Sequence, residues 1–492
     1  MATPSTTLAS AGALTALASV LWFASDARAD EPIAPGEPHL MSETAEITSV
    51  VDAFDETDPF DLNLLVGFQQ TWKSAHIRRE TNLNQPGLST GGFVAATENI
   101  ATYSQQVSTL NLGADIGIYR DLALILRVPL ILADNRSLGD LNGSSALPQL
   151  LADPVSGTLF SVPFRSPTRS GVDFISAGLD WAIFNQQRDQ TKPTWMIGAT
   201  ARIAVGSPLH ACNANAAVQC IDPSQVLANG TLPANAVSRD PGISRGMDGV
   251  NVHTYFSRRY GYVEPYTGFD FLAEFARGNT DFGMTNNYQG ELINHPPLLG
   301  TFLAGIEVIP WERREQFQRL VGDLRVAGTY HSAGRDYTEL FDALGSSNAY
   351  TLRTPNPSSY ANGTAMYGTS TTASNQTGVP FTGITDQQAF GSVSLSGTAT
   401  WQAGEYIKFV LGLGITFNQS HLITAADACN PNVGNLTVAS AGPCLANQGG
   451  SLATQTGIPN PNHRDSIDLP GQRFSADDTT IVDLSISGVV MF

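Results

Sequence analysis

The stretch YIKFVLGLGITF, residues 406–417, alternates large apolar side chains with small or polar ones. The apolar positions are Ile407, Phe409, Leu411, Leu413, Ile415 and Phe417. Successive side chains of a β-strand point to opposite faces, so this pattern predicts a strand with one apolar face and one polar face. The stretch IVDLSISGVVMF, residues 481–492, follows the same rule.

The same alternation predicts twelve strands along the chain. They cover residues 60–74, 100–118, 122–133, 173–184, 194–206, 249–259, 262–275, 298–309, 319–331, 389–401, 406–417 and 480–492. Most approach the roughly 9–11 residues that a tilted strand needs to cross a bilayer. The connections alternate between short turns and long polar loops, which is typical of an outer-membrane barrel with short periplasmic turns and long extracellular loops.

Hydrocarbon offers no partner to a backbone N–H or C=O group, so a membrane-spanning sheet has to close on itself. The sequence therefore predicts an all-β fold: a single closed antiparallel transmembrane β-barrel of about 12 strands. Trp181, Trp195, Trp311 and Trp401 fall at strand ends beside the short turns, where an interfacial aromatic girdle is expected. Scattered core positions are the alternative for these tryptophans.

Three regions follow from composition. Residues 1–29 are predicted to be a signal peptide, because Ala13–Ala24 is apolar and Ala27, Arg28 and Ala29 offer a small-x-small cleavage site. The segment lacks a Lys or Arg before its apolar part, and a buried helix of a cytoplasmic protein is the alternative. Residues 30–59 are predicted to form an acidic periplasmic leader, either solvated or serving as a small plug or tether. Residues 60–492 are assigned to the barrel.

Charge and cysteines restrict the partners and the compartment. The chain has 44 Asp and Glu against 26 Lys and Arg, a net charge of -18, which argues against nucleic acid as a partner. Cys212 with Cys220, and Cys429 with Cys444, form two local pairs that predict disulfides in external loops and an oxidising compartment. No spacing typical of a metal site is present, so neither a metal nor another cofactor is expected.

The terminal strand, which ends in Phe492, resembles the C-terminal signal by which Gram-negative outer-membrane β-barrels are recognised for assembly. The resemblance implies a location in the cell outer membrane, contact with its lipid and with the barrel-assembly machinery, and closure of the last strand against the first. Gly488 departs from the pattern, since a larger apolar residue is typical there. The stretch DIGIYRDLALILRVPLIL, Asp115–Leu132, is similar to outer-membrane transporters associated with uptake of aromatic compounds.

The inward strand positions form the candidate functional surface. The acidic candidates are Asp61, Asp115, Asp180, Glu264, Asp270, Glu274, Glu307, Asp323 and Asp483, and the basic ones are Lys73, Arg127, Arg202, Arg325 and Lys408. The acidic excess predicts a preference for cations in a wet channel. Alternatively, these charges pair across the lumen and only make the wall rigid. Phe174, His253, Tyr255 and Tyr266 are candidates for contact with an aromatic or amphipathic solute.

The predicted function is a channel or transporter for passive or facilitated passage of small solutes. The first alternative is a surface structural or recognition barrel with a closed lumen. A third is an outer-membrane hydrolase, kept open by histidines in or beside external loops: His76, His210, His295, His331, His421 and His463. The chain has neither an H-E-x-x-H motif nor a P-loop, so it is not expected to be an enzyme. The sequence assigns neither the solute nor the oligomeric state.

Overall fold

A computed structural model describes residues 44–53, 61–84, 93–141, 147–155, 157–227, 229–282, 291–353, 380–430, 447–448, 451–452, 458–460 and 462–492. Twelve long strands form one antiparallel sheet that closes by pairing its first strand with its last. The strands are β1 (Leu62–Asn84), β2 (Phe93–Tyr119), β3 (Leu122–Gly139), β4 (Phe174–Phe184), β5 (Thr194–Ala204), β6 (Met247–Ser257), β7 (Val263–Ala276), β8 (Leu299–Arg313), β9 (Gln318–His331), β10 (Phe390–Gly404), β11 (Ile407–Asn418) and β12 (Phe474–Met491). The predicted closed barrel of twelve strands is confirmed.

The outer face of the barrel is apolar. Phe302 is 62% exposed and Leu413 is 61% exposed, and exposed large apolar side chains occur on every barrel strand. A closed sheet with such a band is the form that β-structure takes in an outer membrane, where the band faces lipid. The predicted location in the outer membrane is therefore confirmed. No described helix is long and apolar enough to cross a membrane.

The first and last strands meet along most of their length. Their register runs from Asn63 opposite Met491 to Arg79 opposite Phe474. Beyond that ladder, the backbone N–H of Leu62 donates to the carbonyl of Phe492 at 3.0 Å, and the N–H of Phe492 donates back at 2.9 Å. These bonds leave no open edge at the seam.

Four strands extend farther at their outer ends than the alternation predicted. β1 continues to Asn84 and β2 already begins at Phe93, so the first external connection is short. β3 and β12 are also extended, to Gly139 and from Phe474. We call the extensions, residues 75–84, 93–103, 134–139 and 474–479, the collar. The alternation underestimated these strands because the inward collar side chains, such as Ile77 and Ile100, are buried and apolar rather than polar.

External loops fold over the outer mouth of the barrel and pack against the inner face of the collar. We call the described parts of loops 140–173, 332–389 and 419–473 the cap. Its helices are α1 (Leu147–Leu150), α2 (Phe341–Gly345), α3 (Tyr350–Arg353) and α4 (Asp465–Asp468), and Gly334–Asp336 pairs with Thr385–Gln387. Leu159, Leu340, Leu344, Leu352 and Ile467 join the collar in one apolar core. The loops therefore cover the collar side of the outer mouth.

The remaining elements are short. The short strands are Phe164–Arg165, Arg169–Val172, Cys212–Asn213, Gln219–Cys220, His421–Leu422, Cys429–Asn430, Asn447–Gln448, Ser451–Leu452 and Ile458–Pro459, with 3-10 turns at Pro223–Gln225 and Arg314–Gln316. Cys212 and Cys220 form a disulfide in the loop between β5 and β6, which confirms the first predicted pair. Cys444 lies outside the described residues, as do residues 1–43 with the predicted signal peptide, so those assignments stay predictions.

Candidate solute pathway through the barrel

The candidate lumen residues lie on or beside the inner face of the barrel. Lys73 aside, twelve of the other thirteen acidic and basic candidates occupy inward strand positions, whose neighbours in the strand face outward. They are Asp115, Arg127, Asp180, Arg202, Glu264, Asp270, Glu274, Glu307, Asp323, Arg325, Lys408 and Asp483. Asp61 lies directly before β1. Whether they set selectivity stays a prediction.

Two inward pairs neutralise each other within the wall. Arg127 binds Asp115 through both of its terminal nitrogens, with Nη2 2.9 Å from Oδ2. Arg325 lies 3.4 Å from Asp323, and the hydroxyl of Tyr266 donates to Asp323 while it accepts from Arg325 Nε at 3.0 Å. Part of the acidic excess is therefore balanced by arginines on the same or the adjacent strand.

Aromatic and polar side chains fill the side of the lumen formed by β4 to β9. Nε2 of His253 lies 3.0 Å from Oδ1 of Asp180, and the ring of His253 stacks on Tyr255 with 5.2 Å between the centroids. The Tyr255 hydroxyl donates to Asp270 at 2.6 Å. The bulky side chains on this side thus stack on and hydrogen-bond to one another, and they stabilise this part of the wall.

The remaining candidates have separate surroundings. Glu274 accepts from Arg245 at 3.0 Å, and Glu264 accepts from Ser257 at 2.6 Å. The Arg202 guanidinium lies 5.2 Å from the centre of the Phe174 ring. Lys73 pairs with Glu339 of the cap at 2.7 Å. Asp483 accepts only from neutral groups, Thr71 and Gln69, within the described part of the chain.

The leader closes the periplasmic mouth. Lys408 Nζ on β11 lies 2.8 Å from Glu46, whose backbone N–H donates to Glu307 on β8 at 2.8 Å. Thr48 shares a hydrogen bond of 2.7 Å with Ser257 on β6. These bonds reach strands from different parts of the wall, so residues 44–53 lie across the opening. Residues 44–53 are thus bonded to the inner wall, and the choice between a solvated leader and a plug for residues 30–59 stays a prediction.

Apolar contacts and charge support the same arrangement. Ala45 and Ile47 pack against Tyr266 and Leu303 inside the barrel. Removal from water opposes ionisation of Glu46, but the Lys408 ammonium outweighs that effect and holds the pKa of Glu46 below its ordinary value. The ion pair between Glu46 and Lys408 therefore attaches the leader to the barrel wall.

A buried ion pair holds the cap together at the outer mouth. Arg169 binds Asp342 with two hydrogen bonds of 2.6 and 2.9 Å, and neither side chain is exposed beyond 5%. The backbone N–H of Cys212 donates to the same carboxylate at 3.0 Å. Three external loops are thus joined at one carboxylate. These residues were missed because their partners lie far apart in the sequence.

Burial also affects a carboxyl group in the neighbouring strand pair of the cap, Gly334–Asp336 with Thr385–Gln387. Asp386 is 2% exposed, and burial raises its pKa to about 7, although Arg335 Nε lies 3.9 Å from its Oδ1. Arg319, on the inward face of β9, was missed as well although its strand parity placed it there; it is 5% exposed. Within the described ranges, no three His, Cys, Asp or Glu side chains converge on a metal-binding position.

The loop histidines are distributed rather than gathered. His331 stacks on Phe390, which stacks in turn on His421, with centroid distances of 4.2 and 3.8 Å. His210 lies 3.1 Å from Asp281, and His463 lies 3.1 Å from Asp465. His76 contacts Asp478 at 3.3 Å, and His295 Nδ1 lies 2.9 Å from the Pro296 carbonyl. These contacts assign no reaction.

Comparisons with known proteins give fold likeness only. No protein-family model and no curated protein matches the chain. Among solved structures, a Pseudomonas aeruginosa FadL homologue shares 10% identity with a TM-score of 0.32, over 94% of this chain and 95% of its own. The CymD monoaromatic hydrocarbon channel shares 9% identity with a TM-score of 0.30, over 87% and 88%.

A third similar structure is the outer membrane channel DcaP of Acinetobacter baumannii, with 9% identity and a TM-score of 0.20 over 89% of this chain and 100% of its own. Superpositions at this level do not transfer a substrate or a mechanism.

Proposed function

We propose that the protein is an outer-membrane channel for small solutes, described in its closed state. The observation that carries this proposal is the nature of the periplasmic seal. The mouth is closed by residues 44–53, which form no strand of the wall and are held by a few polar contacts and a small apolar patch. A seal of this kind can leave without breaking any ladder of the barrel.

The lumen behind the seal also supports passage. A barrel of twelve strands is wider than one that side chains alone fill, so loops or water occupy its interior. Ser396, Thr398, Ser485 and Ser487 are inward and partly exposed between the leader and the cap. A barrel with a purely structural role has no need for an accessible polar interior.

Release of the leader tests the proposal. The combined variant Glu46→Ala, Thr48→Ala and Asp52→Ala removes the side-chain contacts of the leader with Lys408, Ser257 and Arg188 and is called the leader-release variant. We expect single-channel conductance in planar bilayers to be rare for the wild-type protein and frequent for this variant. Asp189→Ala is the matched control, because Asp189 is a carboxylate at a periplasmic turn that pairs with Lys192 rather than with the leader.

The same experiment distinguishes the channel from the main alternative, a surface recognition barrel with a closed lumen. A leader-release variant that folds, as judged by heat-modifiable gel mobility, yet stays silent in the bilayer would contradict the channel. The organised cap, with its disulfide and buried ion pair, would then favour a surface recognition role.

A further inference from the structure

The inner wall of the barrel is chemically divided. On β4 to β9 several inward side chains are bulky or charged, such as His253, Tyr255 and Tyr266, and these lie against the inward glycines of the same strands. On β10 to β12 they are small: serine, threonine and glycine dominate the central positions. We call the positions Ser394, Ser396, Thr398, Gly414, Ser485 and Ser487 the hydroxyl wall. Each of the six is partly exposed, so the open part of the lumen runs along this side.

The hydroxyls of this wall are available to a passing molecule. Ser394 shares a hydrogen bond of 2.8 Å with Thr416. Ser396, Thr398, Ser485 and Ser487 form no side-chain hydrogen bond with any residue in the described part of the chain. Gly414 leaves ordinary van der Waals space, since a Cβ there would lie 3.8 Å from its nearest neighbours. A row of free hydroxyls beside open space is thus a set of donors and acceptors for a solute.

The electrostatics of this side are nearly neutral. Among the described inward residues of β10 and β11, Lys408 is the charged one, and it is bound to Glu46 of the leader. On β12, Asp483 already accepts from Thr71 and Gln69. The wall thus offers hydrogen bonds without a strong field, and without aromatic or aliphatic surface for a hydrocarbon at its central positions.

We infer that small uncharged solutes rich in hydroxyl groups, such as polyols, pass along the hydroxyl wall. Each hydroxyl can donate and accept, so a polyol exchanges its bonds to water for bonds to Ser396, Thr398 and Ser487 with little loss at each step. An ion gains less from such a wall, because neutral hydroxyls replace only part of its hydration. The inference rests on the proposed channel function and specifies its substrate class.

Swelling of proteoliposomes in sorbitol tests the inference, in the leader-release background and with ion conductance measured in parallel. The wall variant combines Ser396→Ala, Thr398→Val and Ser487→Ala, which remove hydroxyls with little change in volume. The control is Thr200→Val, a near-isosteric change at an inward position of β5 on the opposite side of the lumen.

We expect sorbitol flux through the wall variant to fall about fivefold or more, since each hydrogen bond that is lost costs roughly that factor. Ion conductance should change less than about twofold, and the control should retain both properties. Conductance that persists with unchanged sorbitol flux in the wall variant, or faster flux of toluene than of sorbitol before mutation, would overturn the solute class alone. Absence of both conductance and flux in every folded variant would overturn the channel and the inference with it.

Discussion

Gly117 lies on the inward face of β2 where the leader passes closest to the wall. A Cβ at this position would overlap the backbone carbonyl of Asp52, which cannot move aside without shifting the leader. We therefore expect Gly117→Ala to release residues 44–53 while the barrel stays assembled. A loss of ~1.4 kcal/mol of docking free energy would raise the released fraction about tenfold.

Proteolysis from the periplasmic side of oriented proteoliposomes measures this release. Gly113→Ala is the matched control on the same face of β2, because a Cβ there meets the flexible side chain of Arg127, at 2.9 Å, instead of backbone. Equal cleavage of the leader in both variants would show that close approach at Gly117 does not hold it.

The second prediction concerns the buried ion pair of Arg169 and Asp342. Replacing Asp342 with Asn leaves the buried Arg169 cation without its counter-charge, and breaking one partner of a buried pair typically costs ~3–5 kcal/mol. We expect the cap of Asp342→Asn to unfold at a lower urea concentration, measured by pulse proteolysis of the loops. Asp189→Asn breaks an exposed pair and should leave the cap midpoint unchanged. Coincident midpoints for both variants would refute the stabilising role of the buried pair.

Among the elements, the hairpin of Gly334–Asp336 and Thr385–Gln387 should make the cap sensitive to pH. Burial raises the pKa of Asp386 to about 7, above its ordinary value, so the folded cap binds a proton that the unfolded loop releases. Stability is then full below the ordinary carboxyl value and is lost as the pH rises through about 7. Burial raises the pKa of Asp468 to about 6, which acts in the same direction.

The urea midpoint of cap unfolding measures this effect. The protein is equilibrated in urea at pH values from about 5 to 8, and the folded fraction is then read by a pulse of proteolysis at one common pH. We expect the wild-type midpoint to decrease across that range and the decrease to be smaller for Asp386→Asn. Identical pH profiles for the two proteins would exclude Asp386 as a source.

The strands of the wall were predictable, whereas the collar and the cap were not. β11 alternates cleanly because one face meets lipid and the other meets the lumen, so two solvents impose a period of two. In the collar both faces of β1 carry mixed residues, because Ile77 packs against loops instead of water. Residues that pack in loops show no regular spacing of apolar positions in the sequence. The contact between Arg169 and Asp342 joins positions 173 residues apart.

For the molecule as a whole, the lumen charge is smaller than the count of inward residues indicated. Asp115 and Asp323 are balanced by arginines, whereas Asp270 and Asp483 are bonded to neutral groups within the described structure. We expect the leader-release variant to prefer cations weakly, and Asp270→Asn with Asp483→Asn to abolish that preference. The reversal potential under a salt gradient measures both.

The double variant Asp115→Asn and Arg127→Gln is the matched control, because it removes one charge of each sign from a paired site. Its reversal potential should equal that of the parent. A larger shift in this control than in the variant of Asp270 and Asp483 would contradict the distinction between paired and unpaired carboxylates. Strand parity could not predict the pairing, because it places a side chain on one face of the sheet but does not determine which neighbouring side chain it contacts.

The collar rises on one side only. β1, β2, β3 and β12 continue past the apolar band, whereas β4 and β5 are short strands of 11 residues each. The outer rim is therefore cut obliquely, with a high wall behind the cap and a low wall in front. The loop that carries the disulfide of Cys212 and Cys220 follows β5 on this low side and reaches the cap, where the backbone N–H of Cys212 donates to Asp342. The face that the cell presents to its surroundings is thus set by strand length.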